Sequence, residues 1–253
     1  MTRVNALLAP AEMGALQNQD LSRTACVVFD VLRATSTLLT ALANGAEAVV
    51  PVLDIPEALA WKARRPEVLL AGEREGTRIT GALTGGMEFD LGNSPREFGA
   101  NRIAGRTIVS TTTNGTQALR GCAHAGAVLP GAFLNIRATA AAITALGLPE
   151  LLLVGAGTVD QAAYEDVLGL GALAEALWPT LAGAKISDSV RMARTLYLVA
   201  RGDLLAATAE HSRNGRRLLR LPELAADVPF CLTENTLSFA ARLGRDGAIR
   251  RIE

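Results

Sequence analysis

Short apolar runs at 25–29, 48–52, 67–71, 107–110, 127–129 and 150–154 each stop abruptly at a turn, and helical patterns separate most of them. The runs lack the in–out alternation of a strand wetted on one face, so they suit strands buried on both sides. Helices are predicted at 38–43, at 55–63 (capped by Asp54, with Pro56 in the first turn), at 136–146 and at 162–177. Strand-length runs alternating with helices predict βαβ units, parallel strands and right-handed crossovers. The fold class is therefore α/β, a three-layer α/β/α arrangement around a largely parallel, mixed central sheet. The mixed character comes from the end of the chain. Arg245-Asp246-Gly247 before 248–252 reads as a C-terminal edge hairpin, and 227–232 reads as a strand that Pro229 confines to an edge. With 253 residues, 49% of them apolar, the core suffices for one domain over 1–253 or two closely packed lobes, about 1–147 and 148–253.

In such a sheet, ligands bind beyond the carboxyl ends of the strands, so the turns there carry the functional reading. The first is Asp30-Val31-Leu32-Arg33-Ala34-Thr35-Ser36-Thr37, between the run at 25–29 and a helix that Asn44-Gly45 close. A carboxylate, a guanidinium and hydroxyls at a helix start suit a metal–phosphate group. Asp30, Thr35 and Ser36 equally suit plain caps. The third run stops at Gly72-Glu73-Arg74-Glu75-Gly76, where Arg74 either meets an anion or pairs with its acidic neighbours. Residues 76–99 form a glycine-rich segment in which Asp90 and Asn93 favour a site-covering loop, and Ser94 stands ready to cap a short helix at Pro95. The turn Thr111-Thr112-Thr113-Asn114-Gly115-Thr116 offers hydroxyls and N–H groups as a phosphate cradle, or an ordinary cap. Glu165 and Asp166 open a helix, where acids also suit the dipole. Near the end, His211 adjoins a basic cluster holding Arg213, Arg216 and Arg217.

Composition excludes several classes. Formal net charge is zero with no basic block, which disfavours a nucleic-acid partner. No apolar run approaches a membrane span and no secretory segment is evident, so a soluble cytoplasmic protein is expected. Cys26, Cys122 and Cys231 are widely spaced and read as reduced core residues. With only His124 and His211 present, and His124 read as a helix C-terminal cap, any metal is held by oxygen, which favours Mg²⁺. No GxxxxGK[ST] occurs, and Gly155-Ala156-Gly157 lacks the third glycine of a dinucleotide turn, its place being taken by Asp160. Leu32 stands where haloacid-dehalogenase phosphatases carry their second aspartate. The apolar helix at 162–177 and the amphipathic helices predicted at 188–199 and 204–219 offer a face for a homodimer.

The assembled pattern resembles the 2-phosphosulfolactate phosphatase family. The likeness rests on FDVLRATST at 29–37 with ALANGA at 41–46, AGEREG at 71–76, FDLGNSP at 89–95 and STTTNGT at 110–116. It continues through GAGT with YEDVLGLGA at 155–172, SRNGRRL at 212–218 and DVPFC at 227–231. The resemblance implies Mg²⁺-dependent hydrolysis of 2-phospho-3-sulfolactate, a small anionic phosphorylated substrate, on the way to coenzyme M. It implies Asp30, Arg33 and Glu73 as catalytic residues and Asp30, Glu73, Glu165 and Asp166 as metal ligands. For the substrate's anionic groups it points to Arg33, Thr35, Ser36, Arg74, Asn93, Thr112, Thr113, Asn114, Gly115, Thr116 and Arg213. The rival reading is a non-catalytic anion-binding or regulatory protein on the same scaffold.

Overall fold

The computed structural model describes residues 1–16 and 19–252. Its strands are β1 (Arg3–Leu7), β2 (Thr24–Phe29), β3 (Ala48–Pro51), β4 (Leu69–Arg74), β5 (Thr77–Arg78) and β6 (Thr107–Thr111). They continue with β7 (Ala127–Gly131), β8 (Glu150–Gly155), β9 (Lys185–Ile186), β10 (Ala240–Leu243) and β11 (Ile249–Ile252). The helices are α1 (Ala34–Ala43), α2 (Ile55–Arg64), α3 (Gly81–Thr84), α4 (Ala100–Ile103), α5 (Gly115–Gly121) and α6 (Ile136–Leu146). After them come α7 (Tyr164–Leu177), α8 (Asp188–Ala200), α9 (Leu204–His211), α10 (Arg213–Leu219) and α11 (Asp227–Cys231).

The protein is mixed α/β, and the strands divide between two largely parallel sheets, as a three-layer α/β/α fold accommodates. The first runs β7-β2-β8-β1-β9, every pair parallel. The six residues of β2 are all buried, as its unbroken apolar run requires. The second sheet runs β10-β11-β3-β6-β4-β5. Its β3, β6 and β4 are parallel, whereas the β10–β11 hairpin adds antiparallel at one edge and β5 at the other. Apolar alternation gives the order of elements along the chain but not which strands pair, so the partition into two sheets emerges only in three dimensions. The core divides accordingly. One cluster joins the first sheet to α7 and α8, a second packs α1 and α5 between the sheets, and a smaller third sits under α2.

Several elements differ from the reading of the sequence. β1 went unrecognised because Asn5 interrupts its short apolar run. Residues 227–231 are helical rather than an edge strand, for Pro229 occupies the first turn, where its missing N–H has no intrahelical partner to lose. Ser212 is extended, ends α9 and caps α10 by accepting from the Gly215 N–H at 2.7 Å. Ser94 holds the N-cap position before Pro95 without capping, because its hydroxyl turns elsewhere. His124 lies exposed beyond the end of α5, where the N–H of Cys122 closes the helix. Among the described residues no helix is long and apolar enough to cross a membrane. Cys26, Cys122 and Cys231 are free and buried.

Candidate active site

The carboxyl ends of β2, β8, β4 and β6 converge from the two sheets on one crevice of about 620 Å³, within the range of small-molecule sites. Asp30 follows β2, Glu73 and Arg74 end β4, Thr113 and Asn114 follow β6, and Gly157 and Thr158 follow β8. From outside the strands come Asn93, Asp166 in the first turn of α7, and Asn214 and Arg217 on α10.

Asp30 unites its two readings. One carboxylate oxygen accepts from the Ala34 N–H at 3.1 Å at the start of α1, and the carboxylate remains on the crevice wall. Gly115 opens α5 on its other side. A Cβ there would stand 2.6 Å from both Asp30 Oδ2 and the Ala34 methyl, so only glycine lets the two helix starts close around this acid. Burial pushes the Asp30 carboxyl up to about 7. The negative charges of Glu73 and Glu165 push the same way, and the N–H groups of Ala34 and Gly115 offset part of the shift.

The other acids brace the surrounding turns. Asp166 accepts from the Val31 N–H at 2.8 Å and the Gly157 N–H at 2.9 Å, tying together the turns after β2 and β8. Burial holds its carboxyl well above the usual range, helped by the nearby charges of Glu165 and Asp30. Glu73 accepts from the Thr113 N–H and hydroxyl at 2.8 and 2.9 Å and from the Gly76 N–H at 2.7 Å. Glu165 stands one layer back from the crevice wall, accepting from the Ser212 hydroxyl at 2.6 Å and the Asn214 amide at 2.8 Å. That amide also donates to Thr158 Oγ1 at 2.7 Å. Among the described residues, none of these four buried carboxylates has an Arg, Lys or His nitrogen within 4.0 Å.

Arg33 touches the crevice, but its charge is already met. It donates to Asp227 Oδ2 at 2.7 Å and to the Gly76 carbonyl at 2.9 Å, with only 4% of the residue exposed. Asp227, fully buried, also accepts from the Ser94 hydroxyl at 2.7 Å and from Arg96 Nε at 2.9 Å. This junction explains the idle cap at Ser94. Arg74 donates to the Glu73 carbonyl and Thr111 Oγ1 and has no ion-pair partner among the described residues, and Arg217 donates to the Glu75 carbonyl across the crevice.

Four of the hydroxyls expected at the substrate face inward. Thr35 and Ser36 donate to the carbonyls of Asp30 and Val31, while Thr112 and Thr116 exchange bonds within their own turn. Thr113, Asn114 and Asn93 do reach the wall. Asp90 instead accepts from the Leu70 N–H, pinning its segment along β4. Arg213 points to the Thr158 carbonyl and lies off the crevice wall, whereas Asn214 and Arg217 lie on it. The polar cluster at 212–218 signalled all three, but only the rotation of α10 selects between them. Asp227 carried no such signal inside an apparent strand.

The family model described as 2-phosphosulpholactate phosphatase matches residues 12–245. A probable 2-phosphosulfolactate phosphatase of Caldanaerobacter subterraneus subsp. tengcongensis is 36% identical over 240 residues, 93% of this chain and 94% of the relative. One of Thermotoga petrophila is 40% identical over 213 residues, covering 84% and 86%. One of Clostridium tetani is 31% identical over 236 residues, covering 93% and 95%.

Proposed function

The chain belongs to the 2-phosphosulpholactate phosphatase family, and on that premise we propose that it is a Mg²⁺-dependent phosphoric monoester hydrolase. Its substrate is 2-phospho-3-sulfolactate or a related small anionic 2-phospho acid, which water cleaves to the 2-hydroxy acid and phosphate. The reaction takes place in the cytoplasm, in keeping with three free, buried thiols. The observation that carries this reading is the gathering of buried carboxylates without ion-pair partners, opposite the guanidiniums of Arg74 and Arg217, at converging strand ends.

That donor set fits a hard divalent cation, since it is oxygen alone, buried and mutually repelling. One or two of Asp30, Glu73 and Asp166 would hold it, and bound there it would offset charge on the phosphoryl oxygens. Among the described residues no three His, Cys, Asp or Glu side chains form a ready-made cluster. Mg²⁺ commonly takes one or two carboxylates and leaves its other positions to water and substrate phosphate.

The chain's own groups divide the remaining work. Burial raises the Asp30 carboxyl to about 7 in the metal-free protein, and with the ion bound it would stay ionised and orient the attacking water. Arg74 and Arg217 meet the phosphoryl and carboxylate oxygens with fixed, planar donors. Asn214, oriented by Glu165, adds a neutral donor, and the Thr113-Asn114 turn supplies polar groups at the start of α5. Burying Asp166 and Glu73 against backbone N–H groups keeps the turns in register around the phosphate.

Phosphate release from 2-phospho-3-sulfolactate by the wild type and Asp30→Asn tests this reading. Turnover by the wild type, and a drop of about 10²–10⁴-fold in the variant with unchanged circular dichroism, is expected. Equal rates for the two proteins would remove Asp30 from the chemistry.

A further inference from the structure

A second cavity, also about 620 Å³, adjoins the crevice and shares Thr113, Asn114 and Val159 as a common wall. Its chemistry is different. Pro10, Met13, Leu16, Ala118 and Ala156 supply apolar surface, and among the described residues no Lys or Arg lines it. Gln117, His124 and Asp160 contribute the polar groups besides the shared turn, and Gln117 spends its amide on the Leu53 carbonyl at 2.7 Å. The crevice thus carries the carboxylates and guanidiniums, and the adjoining space carries methyl and methylene groups. Thr113, Asn114 and Val159 face both spaces, and a three-carbon acid fills only part of the crevice's 620 Å³. A sulfonate seated in the apolar space would meet neither guanidinium nor ammonium, whereas a hydrocarbon or aryl group there would be freed from water.

We propose that this cavity is a subsite for an apolar substituent at the 3-position of a 2-phospho acid, so that the chain takes aryl- or alkyl-bearing substrates as well as those whose 3-substituent stays in the crevice. The proposal rests on the phosphatase reading of the crevice and extends its substrate range. One end of the ligand is anionic and faces Arg74 and Arg217. The other is uncharged and lies against Met13 and Leu16.

The test compares 2-phospho-3-phenyllactate with 2-phospholactate, using the wild type and Gly14→Trp. Gly14 lines the cavity, and a Cβ built on it meets nothing within 4 Å, so the indole enters open space. Two ratios are read: kcat/KM for the two phosphate esters, and Kd for 3-phenyllactate against lactate by calorimetry. A preference for phenyl of tenfold or more in the wild type, reduced at least fivefold in Gly14→Trp, is the expected result. Hydrolysis of both esters with no phenyl preference, or with one that Gly14→Trp leaves intact, would overturn the subsite and spare the phosphatase reading. Should neither ester be hydrolysed while the binding preference exists and is lost in the variant, the subsite stands and the phosphatase reading fails. No hydrolysis and no binding preference would overturn both. Conversion of a wild-type dimer to monomer by Gly14→Trp in sedimentation would assign the cavity to a second copy of the chain, again overturning the proposal.

Discussion

Asp30 is both a helix cap and a carboxylate on the crevice wall, and the two roles predict opposite effects of its removal. Asp30→Asn keeps an oxygen for the Ala34 N–H but removes a charge that burial and two acidic neighbours disfavour. The variant is therefore expected to lose turnover yet melt about 2–8 °C higher at pH 8 without metal, at about 2–4 °C per kcal/mol for this chain length. Differential scanning calorimetry checks this, and a lower melting temperature would mean that the cap outweighs the repulsion. Asp227→Ala should act the other way. It strands the buried Arg33 guanidinium and cuts the Ser94 and Arg96 bonds, costing about 3–5 kcal/mol. Urea unfolding would show it, and the double variant Arg33→Met/Asp227→Leu should cost less than the single one. Residue types at strand ends made Asp30, Glu73 and Asp166 legible from sequence. Asp227 was hidden because its importance comes from a partner 194 positions away.

At the scale of elements, pattern reading located nearly every long strand and helix, since burial on both faces leaves continuous apolar runs. It failed where one residue redirects the backbone. Ser212 breaks one predicted amphipathic stretch into α9 and α10, and that break aims Asn214 and Arg217 at the crevice. Ser212→Ala removes both the α10 cap and one of the two partners of Glu165, a loss of about 1 kcal/mol, and is expected to raise KM more than it lowers kcat. A purely structural serine would leave KM unchanged. Glycines work in the opposite sense, by letting elements approach. A Cβ on Gly72 would lie 2.2 Å from the Thr111 carbonyl oxygen, so β4 and β6 can pair at that register only with glycine. Gly115→Ala should push Asp30 aside, lowering kcat at least tenfold with a stability loss of about 1–3 kcal/mol by chemical denaturation.

For the whole molecule, the crevice exists because two parallel-stranded sheets present their carboxyl ends to each other, and sequence order alone does not specify that meeting. The same convergence loads buried negative charge into one place. Asp30 and Asp166 have folded pKa values above their unfolded ones. The folded state then binds the extra protons, so their contribution is complete below pH about 4 and fades as pH rises through about 7 for Asp30. Metal-free protein should thus melt at higher temperature at pH 5.5 than at pH 8, and Mg²⁺ should restore stability at pH 8. The central claim is that these acids form a metal-assisted phosphatase site. Its most direct test is phosphate release from 2-phospho-3-sulfolactate by EDTA-treated protein, before and after Mg²⁺ is added back. The expected result is loss of activity on chelation and recovery with Mg²⁺. Release that continues unchanged in EDTA, or no release under either condition, would contradict it.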